Sequence, residues 1–171
     1  MTIKRFPTLL LAGAAAFALS ACANNTAPSA QENGAHTHAS AANGSACRSI
    51  GEGRKINNKG KNDAYLCSAR AALNSSEAKQ VLNPNIRVSY GNVGGKTLVS
   101  RQIANAVGKT PEETCQRAFL SAVKRFQSTA QRYNSKSVRL VSYFDKKTVG
   151  GDQYECHIGT WNSRVVLKGN V

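Results

Sequence analysis

Gly91, Gly94 and Gly95, followed by Lys96 and Thr97, stand directly after a strand-like run at residues 86–90. This is the order of a phosphate-binding loop, in which backbone N–H groups wrap the phosphates and the lysine reaches the terminal ones. Such a loop needs its first glycine at position 90. Tyr90 stands there, and Gly91 is one residue too close. The ring of N–H groups closes around a phosphate of fixed size, so the shortened loop is a glycine-rich turn in which Gly91, Gly94 and Gly95 supply positive φ. No nucleotide is expected to bind. Asp145, at the end of the run 138–144, could pass for the acidic partner of such a loop, but it reads better as a strand running into a turn.

Catalytic constellations are scarce. The chain has no G-x-S-x-G, no H-E-x-x-H and no evident carboxylate pair, with only 9 acidic residues in all. His157 is the one histidine within the folded part, and its neighbour Cys156 is expected to be oxidised and unable to act as a nucleophile. A non-enzymatic protein without cofactors is the expectation. The alternative is an exported hydrolase- or nuclease-like enzyme built around His157 and nearby acids. His36 and His38 lie in a polar, linker-like stretch, where a histidine pair is more often incidental than metal-binding.

The N-terminus sets the compartment. Lys4 and Arg5 precede an apolar, alanine-rich stretch at residues 7–19, too short for a good membrane span. It ends in Leu19-Ser20-Ala21-Cys22, which resembles the lipobox of bacterial lipoproteins. That resemblance implies cleavage before Cys22, lipidation of its thiol and, with Ala23 rather than an aspartate following, an address at the outer membrane. Several acyl chains, each methylene contributing about 0.8 kcal/mol, would make a stable anchor. The outer envelope is poor in ATP, a second reason against a nucleotide.

Of 5 cysteines, Cys22 is taken by the anchor, leaving Cys47, Cys67, Cys115 and Cys156. An even remainder in an oxidising compartment suggests two disulfides, with three possible connectivities. Sequence proximity favours Cys47–Cys67. A metal site competes, but there is no C-x-x-C and no tight Cys/His cluster.

The elements that would position these residues follow from periodicity. Residues 1–21 read as the lipoprotein signal peptide. Residues 22–46 lack large apolar side chains and read as a lipid-anchored tether, unable to offset the entropy of ordering. Residues 47–171 make a single domain, of which 47–73 is a basic, disulfide-closed extension. An amphipathic helix is expected from about 111 to 133. Thr110 is its N-cap, Pro111 its first residue and Glu113 completes a capping box. Cys115, Phe119, Ala122, Val123, Phe126 and Ala130 form its apolar stripe; Gln116, Arg117, Lys124, Gln127 and Gln131 form the opposite face. Strands are expected at 86–93, 137–144, 154–161 and 163–169, with 97–103 a further strand or a loop edge, and a short helix within 47–80. The fold class is therefore α+β: a small antiparallel sheet with one long amphipathic helix packed on one face, stapled by disulfides. Cys115 lies on the buried stripe and Cys156 in a strand expected beneath it, so a Cys115–Cys156 staple is the natural reading.

From about residue 75 the chain is similar to a family of small exported proteins of Gram-negative bacteria that often carries the label "excinuclease ATPase subunit". The similarity rests on residues 113–127 with Glu112, on 138–147, on Tyr154-Glu155-Cys156-His157, on 165–169 and on 88–92. It implies a family-like core at 75–171, gives further support to the Cys115–Cys156 pairing, and implies no established activity. The label itself would require working nucleotide motifs, cytoplasmic ATP and a far longer chain.

Charge points to partners. The formal net charge is +14, a statement about association rather than fold. Arg48, Arg54, Lys55, Lys59, Lys61 and Arg70 are densest, nested around Cys47 and Cys67 on the extension. A second group, Arg117, Lys124, Arg125, Arg132, Lys136 and Arg139, belongs to the long helix and the segment after it. No module for sequence-specific DNA reading is present. The expectation is a non-enzymatic outer-membrane lipoprotein with a binding or structural role. Its partners would be an anionic envelope component (lipopolysaccharide, acidic glycan or extracellular DNA) or an envelope protein; inhibition of a secreted enzyme is a further alternative.

Overall fold

A computed structural model describes residues 46–55 and 59–171. The expected signal peptide at 1–21, Cys22, His36, His38 and residues 22–45 of the expected tether lie outside the described residues. The domain is α+β, and its chain runs β1 (Cys47–Glu52), β2 (Asp63–Ser68), α1 (Ala69–Asn74), α2 (Ser76–Val81), β3 (Arg87–Tyr90), β4 (Leu98–Asn105), α3 (Pro111–Arg132), β5 (Ser137–Ser142), a 3-10 turn (Phe144–Lys146), β6 (Gln153–Ile158) and β7 (Asn162–Asn170).

The strands form one seven-stranded sheet organised around β7. β4 pairs antiparallel with β7 along its whole length, Leu98 opposite Gly169 through Asn105 opposite Asn162. The other edge of β7 is shared: its first half takes β6 and its second half β5. β2 continues the sheet from β6, and β1 from β2. β3 lies parallel to β5. The sheet is therefore mixed rather than wholly antiparallel. The reason is topological: α3 intervenes between β3 and β5, and a helical crossover returns the chain in the same direction. The extension also differs from expectation. Its Cys47–Cys67 staple closes a β-hairpin, β1–β2, that lengthens the sheet by two strands; the short helices come after it.

α3 covers one face. The capping box is formed, with Glu113 N–H donating to the Thr110 hydroxyl and the Glu113 carboxylate accepting from Thr110 N–H. The helix ends where Asn134 takes φ 56°, a left-handed position that asparagine tolerates. All six residues expected on the apolar stripe are buried. Phe119 stacks on Tyr154 with centroids 4.2 Å apart and meets Tyr90 edge-on at 5.6 Å. Phe126 approaches the sheet over Gly169, where a Cβ would collide with the Leu140 side chain and the Arg139 carbonyl.

The start of α3 is pinned by a buried pair. Ser163 hydroxyl donates to the Thr114 carbonyl (2.9 Å) and accepts from the Thr114 hydroxyl (2.7 Å). Gln127, expected on the solvent face, is buried instead. Its amide accepts from Asn83 N–H (2.8 Å) and donates to the carbonyls of Asn83 and Ile86 (both 3.0 Å), satisfying the backbone of the turn between α2 and β3.

Both expected disulfides are present. Cys47–Cys67 joins directly opposed residues of the β1–β2 hairpin, and Cys115–Cys156 staples α3 to β6.

Candidate functional site

The sheet face away from α3 carries the site. Strand alternation turns Ser163, Val165 and Leu167 of β7 towards the helix, and Arg164, Val166 and Lys168 to the opposite face. By register, Val99, Arg101 and Ile103 of β4, Glu155 and His157 of β6, and Ala64 of β2 share that second face.

Two loops fold over it. The β1–β2 loop returns through Gly53, whose N–H donates to the Asn62 carbonyl (2.7 Å). The β5–β6 loop lays Phe144 flat on the His157 ring, centroids 3.7 Å apart and 3° from parallel. In that loop Asp145 (φ 46°) and Lys146 (φ 63°) are both left-handed. Consecutive non-glycine residues in that region are costly, and such strain persists only where surrounding contacts hold it.

His157 is the clamp between the loops. Its Nδ1 lies 3.1 Å from Asn62 Oδ1 and its Nε2 2.6 Å from Glu155 Oε1. The Asn62 amide is oriented by its own Nδ2–H, which donates to the Arg54 carbonyl (2.7 Å). Its oxygen therefore faces His157, with the Arg164 guanidinium 3.5 Å away. Both imidazole nitrogens thus have hydrogen-bond partners, an amide oxygen on one side and a carboxylate on the other. His157 is 3 % exposed.

Between the loops and the β4 edge lies a cleft of about 920 Å³. Arg54, Arg101, Lys146 and Lys147 line it, with Glu52, Asp145 and Glu155 as its acids and Ile50, Val99 and Tyr143 among its apolar and aromatic walls. The aromatic rings themselves carry cations nearby. Lys168 Nζ stands 4.5 Å from the Tyr143 ring centre, and the Arg164 guanidinium 5.9 Å from that of Phe144.

The six basic residues of the extension separate in the structure. Lys55 pairs with Glu52 (2.8 Å), Lys61 with Asp63 (3.2 Å) and Arg70 with Asp152 at a looser 3.9 Å. Arg54 enters the cleft; Arg48 and Lys59 are exposed. Sequence reasoning missed Arg101, Lys146, Lys147 and the Phe144–His157 stack. The signals present were the alternation Val99-Ser100-Arg101-Gln102-Ile103 and the Tyr143-Phe144-Asp145-Lys146-Lys147 run. Nothing in either reveals that they meet.

The glycine-rich loop at 91–97 runs from β3 into strand β4, so no helix N-terminus stands behind it. Gly91 (φ 115°) and Gly95 (φ 72°) are left-handed as expected, whereas Gly94 is not. Gly91 is also required because a Cβ there would lie 2.8 Å from the Gly151 carbonyl oxygen.

Sγ atoms of Cys47, Cys67 and Cys115 lie within 4.8 Å of one another. All three are disulfide-bonded, and sulfurs so bonded are not thiolate ligands. Among the ionisable groups, burial pushes the Tyr90 and Tyr154 phenols well up from their ordinary value, and raises Tyr65 with help from Asp63. Compared with family models, curated proteins and solved structures, the chain matches none.

Proposed function

We propose that this protein is a non-enzymatic outer-membrane lipoprotein, anchored through Cys22, whose domain binds an anionic polymer of the cell envelope. The observation that carries the reading is the convergence of Arg54, Arg101, Lys146 and Lys147 from three separate segments on one cleft. With Glu52 paired to Lys55 and Glu155 bonded to His157, the four cations outweigh the acids of the cleft, and a net positive, concave, partly apolar site raises the local concentration of an anion and speeds its capture. Apolar and aromatic walls beside the cations suit a chain whose anionic groups are set on a less polar frame, as in lipopolysaccharide or an acidic glycan.

The non-enzymatic part of the reading rests on His157, the residue on which an acid–base mechanism would depend. Both of its nitrogens are committed to Asn62 and Glu155. The test is titration of the mature protein with lipopolysaccharide, an acidic glycan and DNA across a salt series. Saturable binding to one of them at physiological salt supports the reading. Weak binding of equal strength to all three, lost as salt rises, would sink it.

A further inference from the structure

We propose that the outer edge of β4 is a docking site for an extended acidic segment of a partner protein, which adds to the sheet as a further strand. The edge borders the cleft, which Val99 and Arg101 also line, but the proposal does not depend on what the cleft holds.

The argument begins with the ladder. Ala106 N–H donates to the Trp161 carbonyl (2.8 Å), continuing the β4–β7 register by one pair. Antiparallel pairing alternates, so the even-numbered residues of β4 turn their backbone groups to β7. Those of Val99, Arg101 and Ile103 turn outward. The opposite edge of β7 agrees: there Asn162 and Val166, the even set, accept from Gly159 and Tyr143. Among the described residues, no strand pairs with the outer edge of β4. A long strand with an open edge is a template for another strand unless something covers it.

The side chains of the same three residues state what that strand must carry. Val99 and Ile103 are each 57 % exposed, and Arg101 stands exposed between them. Next to them on this face, Lys168 lies opposite Val99 and Arg164 opposite Ile103. Between Lys96 and Lys109 there is no acidic residue, and none in β7. The edge therefore presents apolar–basic–apolar at spacings of two. Its complement is an extended segment reading apolar-x-acidic-x-apolar, whose facing side chains meet these directly.

A second copy pairing β4 against β4 does not fit, because it would set Arg101 and its basic neighbours against another strand without acids. A bilayer does not fit either, since the outward N–H and C=O groups would find no partner in hydrocarbon.

The test uses the mature protein and two synthetic peptides, acetyl-Thr-Val-Thr-Glu-Thr-Val-Thr-amide and its counterpart with lysine for glutamate. Amide exchange is followed residue by residue. The acidic peptide is expected to slow exchange at Val99, Arg101 and Ile103 while leaving Ser100 and Gln102 as they were. The lysine peptide is expected to bind about five- to tenfold more weakly. Arg101→Glu, at an exposed position, is expected to reverse that preference, with unchanged protection of Ser100 and Gln102 showing that the fold is intact. Equal binding of both peptides, no slowing of the three outward amides, or slowing by phosphatidylglycerol vesicles rather than by peptide would each overturn the proposal. Arg101 also lines the cleft, but the outward amides report only on the edge, so the two sites can fail separately.

Discussion

The backbone of Gly53 lies against the edge of the His157 ring, so close that a Cβ at position 53 would overlap the imidazole and press on the Asn62 amide. The β1–β2 loop can therefore reach its place over the sheet only with glycine there. Gly53→Ala is expected to destabilise the fold by about 1–3 kcal/mol, the usual effect of overpacking. Gly94→Ala, where nothing lies within 4 Å and φ is not positive, should not destabilise. Chemical denaturation of both variants checks this.

His157 is expected to act as a clamp. His157→Ala removes the stack on Phe144 and leaves Asn62 Oδ1 and the Glu155 carboxylate without the ring, a loss of about 2–4 kcal/mol. Loosening should be local before it is global. Exchange of the Gly53 and Lys147 amides, which hold the two loops, should speed about tenfold more than that of Leu167 in the core. Uniform acceleration would mean that the ring supports the whole sheet rather than the two loops.

The staple between α3 and β6 should contribute more than the one within the hairpin. Cys115–Cys156 spans 41 residues and Cys47–Cys67 only 20. Restriction of the unfolded chain grows with loop length, so removing the first by paired alanine substitutions should cost about 2–5 kcal/mol and removing the second somewhat less. Denaturation midpoints of the two double variants decide the order.

Glu113 gives the fold a pH dependence of known sign. The hydrogen bond from Thr110 N–H holds its carboxyl below the ordinary value of 4.5, with Lys109 and Arg117 adding to the effect. A depressed folded-state value means that the contribution is complete above pH 4.5 and fades as pH falls through the lower, folded value. Glu113→Gln keeps an acceptor at the cap but cannot titrate. The stability difference between wild type and variant should therefore be constant from neutral pH down to 4.5 and change only below it. A difference that changes instead between pH 6 and 8 would contradict the assignment.

Much of the fold was legible because its signals are local. Thr110, Pro111 and Glu113 mark the start of α3 by chemistry confined to one turn, and the period of its apolar stripe follows from helix geometry alone. The Cys115–Cys156 pairing was legible for a related reason, since a cysteine on a buried helical stripe needs a partner beneath it. Gln127 was misplaced because its role is to satisfy backbone groups of a turn some forty residues away, which no periodicity encodes. The β1–β2 hairpin was hidden by Gly51, Glu52, Asp63 and Ala64, residues with weak strand preference that its disulfide and the pairing of β2 with β6 override. The cleft was least legible. The basic run of the extension drew attention as a block, yet the structure ties Lys55, Lys61 and Arg70 to carboxylates and brings Arg101, Lys146 and Lys147 from elsewhere to join Arg54. Charge counted along a sequence does not show which cations already have partners.

That distinction supplies the most direct test of the central claim. Two triple variants of the mature protein, Arg54/Lys146/Lys147→Ser and Lys55/Lys61/Arg70→Ser, remove the same charge from different places. Their lipopolysaccharide affinity would be measured across a salt series beside the wild type. The cleft variant is predicted to lose affinity and to flatten the dependence of log affinity on log salt, while the ion-paired variant stays near wild type. Equal losses in the two variants would show that total charge rather than the cleft holds the polymer, and would contradict the account.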